Sequence, residues 1–453
     1  MALAFVVLSA SSCKVTKKRV DKWREQGDTK RLKKCLADKK LSGEIRKHCG
    51  MALVSLDKLF AVQRMLARVQ KRSQSEAARV ADAMAGALVG RVEGLEDEGV
   101  RAKDAVFVLR PFVSSGVRAT IDDKLISWIL ANFTSGATVG EHSARKILKT
   151  LGAAGGDRLA RLVPLDHPNL YAIATMIRKT ASDQAKDAFV ARLVGSLSKG
   201  GSQLARPDVL YAIGQVCRPG SLSFLRKTAL KGFNYKVRRN ALIGLQRCPD
   251  KGSITVAEAV LWEILSKDLL DQPVDLPHFS DGKPGVIGQC FNLLDAIGKW
   301  PEEKATFVRL MTAVNAKPLS DKAQAQKLLI RVQAAQYAVY IGGVEGLETA
   351  LSRLPEDIYP EIYVNTPVLA VVQEFGRPPK RQAALKVLRT ALNKPGLVAK
   401  MIAIKALGKI GDPSRDVAVL KKMSMDRTPL KGWEQGQTLG NLASKALEKL
   451  TTK

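Results

Sequence analysis

The feature that most constrains this chain is a recurrence of paired segments with helical period. Gly27–Leu56 reads GDTKRLKKCLADKKLSGEIRKHCGMALVSL, Pro219–Cys248 reads PGSLSFLRKTALKGFNYKVRRNALIGLQRC, and Lys380–Ser414 reads KRQAALKVLRTALNKPGLVAKMIAIKALGKIGDPS. In each, an apolar stretch leads through a short polar or Gly/Pro break into a second stretch rich in Ala and Leu. Leu32, Leu36, Ile45, Ala52, Leu53 and Leu56 trace the pattern in the first. Leu222, Leu225, Ala229, Leu230, Val237, Ala241, Leu242 and Leu245 trace it in the second. Spacings of three and four place such residues on one helix face. A single pair of this kind cannot bury its apolar face and must stack on neighbours. Composition points the same way: of 453 residues 46% are hydrophobic and only 5% aromatic, which favours helices over a β-sandwich or barrel and excludes wholesale disorder.

Three kinds of landmark recur at fixed places in these segments. They are Asp38 near a turn, Ile45-Arg46 and Val237-Arg238 at the start of a second helix, and Ala406-Leu407-Gly408-Lys409-Ile410-Gly411-Asp412-Pro413 at the end of one. Ala144–Leu162 and Val209–Leu225 match less completely. The pattern resembles the HEAT repeat and its phycobilisome-lyase-type relatives. That resemblance implies an all-α chain, an α-solenoid (superhelix) of antiparallel helix pairs, with roughly ten pairs at a period of 30 to 45 residues. The repeats are expected over residues 13–270, 286–354 (degenerate) and 380–453. Two interruptions separate them. Asp271–Gly285 holds three prolines and two glycines, and residues 355–379 form a Pro-rich break ending in Gly376-Arg377-Pro378-Pro379. Neither is expected to run as a continuous helix.

The amino terminus carries a different signal. Met1–Ser12 has no charge, and Cys13 is followed by the basic run KVTKKRVDKWR. A dozen apolar and small residues are too few to span a bilayer, which takes about 20, but they suit the apolar region of an export signal. With Ala10, Ser11 and Ser12 before Cys13, the segment resembles a bacterial lipoprotein signal. That implies removal of residues 1–12, lipidation of Cys13, and anchoring in the cell envelope. Lys14 stands where such proteins carry Asp for inner-membrane retention, so the outer membrane is favoured. Ala10 replaces the Leu usual in that family, and no Lys or Arg precedes the apolar run, so an upstream start is expected.

The net charge of +30 is uneven. Residues 1–80 carry +13, and residues 161–250 and 361–453 carry +10 each, with near-neutral stretches between. A patchy basic surface suits anionic partners: an anionic polymer, lipid headgroups or nucleic acid. The densest run is Arg226–Arg239. There Lys227 and Lys231 share a helix face, Lys236, Arg238 and Arg239 flank the next helix start, and Phe233 and Tyr235 are placed to stack on bases or sugars. These five cations are the anion-binding candidates, the alternative being a solvated basic turn with Phe233 buried.

Of the six cysteines, Cys35 and Cys49 fall on the two helices of one pair and are the candidates for a disulfide if the protein is exported, the alternative being two reduced core cysteines. Cys217 and Cys248 end second helices one repeat apart, where axes 8–10 Å apart are expected to keep them as separate core cysteines. Cys290 completes the set. No CxxC, GxSxG or HExxH occurs. His48 and Cys49 diverge on a helix, and Asp271, Asp275, His278 and Asp281 read as turn chemistry, so no metal, cofactor or catalytic residue is expected. The function expected is a non-catalytic, lipid-anchored scaffold binding another protein on its concave face, or an anionic polymer. Two other readings follow from the resemblance. One is a cytoplasmic nucleic-acid-binding protein like the HEAT-like alkylpurine DNA glycosylases, with nucleic acid a partner only in that compartment; the other is a lyase or assembly subunit.

Overall fold

A computed structural model describes residues 15–133, 138–198, 206–232, 234–266, 285–300, 302–313, 321–356 and 360–452. Among these the chain is all-helical, with 22 α-helices and nothing more extended than an isolated bridge between Pro429 and Thr438. It divides into two units, Met1–Phe189 and Val190–Lys453. The border falls inside a helix, not at either Pro-rich interruption. Pro and Gly mark where a backbone turns; where packing thins is a separate matter.

Unit 1 contains α1 (Lys17–Glu25), α2 (Thr29–Ala37), α3 (Gly43–Ser55), α4 (Leu59–Gln70), α5 (Gln74–Leu88), α6 (Asp97–Leu109), α7 (Ser115–Asn132), α8 (Thr138–Leu162) and α9 (Leu170–Thr180), and α10 (Asp183–Ser198) crosses its border. From α1 to α7 each helix packs on the next and the next but one. Asp28 and Ser42 accept from the backbone N–H of Arg31 and Ile45 at the starts of α2 and α3, satisfying donors that a helix start leaves open. Leu32, Leu36 and Leu53 are fully buried, as their spacing requires.

Unit 2 contains α11 (Pro207–Val216), α12 (Pro219–Lys231), α13 (Tyr235–Arg247), α14 (Lys251–Ser266), α15 (Val286–Ile297), α16 (Lys304–Thr312), α17 (Asp321–Arg353), α18 (Glu361–Phe375), α19 (Arg381–Leu392), α20 (Leu397–Ile410), α21 (Pro413–Met423) and α22 (Leu439–Thr451). Alternate helices again lie side by side: α11 on α13, α13 on α15, α18 on α20, and α20 on α22. The expected break at residues 355–379 is largely occupied by α18, which carries Pro367 inside it. Val364, Val368, Val371 and Phe375 bury one face of α18, and contacts with α17 and α20 outweigh the hydrogen bond that proline removes.

Two long helices are each two segments. Gly152 (φ 63°, ψ −149°) breaks α8, and Gly343 (φ 56°, ψ −129°) breaks α17. Both lie in the left-handed half of backbone space, which a side chain strongly disfavours.

Candidate functional site

The Arg226–Arg239 run, the strongest expectation from the sequence, resolves into two kinds of residue. Lys227, Lys231 and Lys236 are exposed. Arg238 and Arg239 are only 5% and 1% exposed, and Tyr235 is 7% exposed. The Arg238 Nε donates to the Ala229 carbonyl at 2.7 Å, its Nη2 donates to Glu263 at 2.6 Å, and its guanidinium lies over the Tyr235 ring. Arg239 sits beside Asn240, whose Oδ1 also accepts from the Tyr211 hydroxyl at 3.1 Å. Arg238, Arg239 and Tyr235 are therefore corrected from ligand contacts to internal packing. Arg238 opens α13 and reaches back to a carbonyl in the last turn of α12, where cations favourably meet unsatisfied acceptors. Phe233 lies outside the described residues.

Other arginines also donate to carbonyls at helix ends. Arg46, buried at the start of α3, donates to the Leu36 carbonyl at 2.9 Å and pairs with Glu76. Arg331 is buried and donates to the Ala313 carbonyl just past α16 at 3.0 Å. The Nε and Nη2 of Arg381 donate to the Ile410 and Gly411 carbonyls at 2.7 and 2.6 Å. The Val/Ile-Arg landmark was legible in the sequence, and its arginine belongs to the core.

The expected Cys35–Cys49 partners are joined, with Cα atoms 6.1 Å apart. Cys217 and Cys248 are also joined, at 5.0 Å, which corrects their reading as separate core thiols. The reason is local: a Cβ on Gly214 would fall 2.1 Å from the Gly244 carbonyl oxygen, so α11 and α13 approach far more closely there than ordinary side chains allow. Cys290 is buried and takes part in neither disulfide. Cys13, together with Asp271, Asp275, His278 and Asp281, lies outside the described residues. Among the described residues no group of three or more metal-ligating side chains forms.

Two concave sites within unit 1 bring cations together. A mostly basic groove of about 430 Å³ between α2 and α4 is lined by Lys30, Lys33, Lys34, Asp38, Met65 and Arg68. The larger cleft, about 650 Å³, lies between α8 and α9. Phe133, Leu148 and Met176, all buried, form its apolar floor, and Arg145, Lys149 and Lys179 bring positive charge to its walls. Its cations are spread across 35 positions, from Arg145 to Lys179, so they form no run in the sequence. Its one local signal is Arg145-Leu148-Lys149-Gly152, which places two cations, an apolar residue and a helix breaker on one face.

In unit 2 Phe307, Phe291 and Tyr337 stack across α15, α16 and α17, and Tyr340 meets Tyr337 edge to face. The Tyr337 hydroxyl donates to Asn292 and that of Tyr340 to Gln373. Burial, then the nearby Asp295 carboxylate, pushes the Tyr337 phenol well above its ordinary range, so it is a neutral hydrogen-bond donor here.

No known protein family matches this chain, and a search of curated proteins returns no significant relative. No helix among the described residues is long and apolar enough to cross a membrane.

Proposed function

We propose that this chain is an exported, lipid-anchored helical-repeat protein whose helix pairs form a HEAT-like solenoid serving as a binding scaffold. The observation that carries the reading is the pairing of cysteines. Four of the six cysteines stand at bonding distance, as Cys35–Cys49 and Cys217–Cys248, while Cys13 precedes the first helix. Structural disulfides persist in oxidising compartments and are rare in the reducing cytosol. An apolar leader, an anchoring cysteine and two internal disulfides all agree with export. The packing of helices on their next-but-one neighbours through α1–α7, and again of α11 on α13, α13 on α15, α18 on α20 and α20 on α22, is what a stack of helix pairs requires.

The anchor has a consequence for the basic surface. Only three residues separate Cys13 from α1, so a lipidated Cys13 holds α1 within about 15 Å of the headgroups. Lys17, Lys18, Lys22 and Arg24 on α1 and the α2–α4 groove then lie near the bilayer, where each basic side chain adds about 1 kcal/mol of attraction to anionic lipid. A protein partner on the concave face, or an anionic polymer, is the cargo of this scaffold. No catalytic role, metal or cofactor is part of the reading.

Fractionation of the native cells with mass spectrometry of the mature amino terminus tests it. The expected result is a membrane-bound chain beginning at a lipidated Cys13, with four cysteines resistant to alkylation until reduction. Recovery of intact Met1 in the soluble fraction, with all six thiols alkylated at once, would overturn it and favour the cytoplasmic nucleic-acid reading.

A further inference from the structure

We infer that the α8–α9 cleft is a binding site for a small amphipathic anion, an apolar chain or ring carrying one carboxylate or phosphate head. The inference concerns a ligand taken by one cleft and does not depend on where the protein resides.

The cleft exists because of Gly152. At φ 63° and ψ −149° the backbone leaves helical space, so the two segments of α8 run in different directions. The second segment seats tightly on the end of α9: a Cβ on Gly156 would fall 2.4 Å from the Ala181 nitrogen. The first segment, with Arg145, Leu148 and Lys149, faces the open space. A Cβ on Gly152 would meet nothing within 4 Å, so the room beside the break is real. At about 650 Å³ the cleft falls within the roughly 300–1,000 Å³ of small-molecule sites.

Its lining selects the ligand. Leu148 is 2% exposed and Met176 8%, yet both border the cleft together with Phe133, giving a chain or ring a dry apolar surface. Arg145, Lys149 and Lys179 stand on the walls, and among the described residues no carboxylate lines the cleft. Lys149 and Lys179 have no ion-pair partner among the described residues. The Thr175 and Thr180 hydroxyls donate to carbonyls of their own helix, at 3.2 and 2.8 Å. A polar head therefore meets mainly N–H donors with positive charge, which is the chemistry of an anion acceptor. Both halves are needed: bare inorganic anions leave the floor empty, and an apolar cation meets like charge.

Calorimetric titration of the full chain with decanoate, acetate and decyltrimethylammonium separates these requirements. Decanoate is expected to saturate one site, with acetate and decyltrimethylammonium each at least tenfold weaker. The pair Lys149→Gln and Lys179→Gln, on exposed positions that leave folding intact, should weaken decanoate at least tenfold, and Met176→Trp should fill the floor and abolish binding. A vesicle arm tells the ligand's source: decanoate that competes against vesicles of anionic phospholipid identifies the same head-and-chain chemistry presented by a bilayer. Acetate binding as tightly as decanoate, decyltrimethylammonium binding as tightly, decanoate binding that ignores the lysine substitutions, or no decanoate binding at all would each overturn the inference.

Discussion

Arg226–Arg239 carries a denser run of cations than Arg145–Lys179, yet the sparser segment is the one whose cations surround a cleft. In the first, two of the three arginines turn inward: Arg238 is held by the Ala229 carbonyl and Glu263, and Arg239 is buried against Asn240. In the second, Lys149 and Lys179 stand over an apolar floor. Local charge density thus says little about a binding site until each cation's internal acceptors are known. An arginine that opens a second helix faces the carbonyls ending the first, so its place in the repeat already assigns its partner. Lysines spaced along a helix beside a break have no such assignment.

The comparison can be broken or sharpened at four points. The largest effect is expected from removing the covalent tie beside the inward-facing arginines. Replacing both Cys217 and Cys248 with Ala should cost about 3.5 kcal/mol, from loop closure across their separation of 31 residues; urea melts that do not move would show the tie contributes nothing to the unit. Arg238→Ala should cost about 3 kcal/mol, because Glu263 and a helix-end carbonyl lose their donor. If that variant melts like wild type but loses heparin affinity, the arginine faces outward in solution and the contrast collapses. Gly152→Ala should cost about 2 kcal/mol from backbone strain alone and should also diminish decanoate binding; an unchanged melting temperature would mean α8 is not broken there. The smallest effect belongs to Lys227→Gln, Lys231→Gln and Lys236→Gln together. These exposed residues should change stability by less than about 0.5 kcal/mol while flattening any salt dependence of heparin binding. A loss of several kcal/mol would place them in the core with the arginines.

Much of the helical architecture is legible in the sequence. The apolar spacing of Leu32, Leu36 and Leu53, or of Leu225, Ala229 and Ala241, predicts buried helix faces, and these side chains are buried. Leu230 departs from that pattern at 37% exposed, since it adjoins Ala229 and a helix turns about 100° between neighbours. What escapes the sequence depends on distances between elements. Pro367 reads as a helix stop, yet α18 runs through it because its buried face packs on α17 and α20. Cys217 and Cys248 read as too far apart until the Gly214–Gly244 contact is seen. The α8–α9 cleft stayed hidden because its existence turns on one backbone angle at Gly152, which a sequence offers only as a glycine among several.

The bond between Cys217 and Cys248 encloses the whole of α12 and α13. A single proteolytic cut anywhere inside that loop severs the chain without parting it: the two polypeptides stay linked through sulfur until a reductant arrives. Such damage leaves one particle of almost unchanged mass. It becomes visible only on a reducing gel, as two bands where a non-reducing gel shows one.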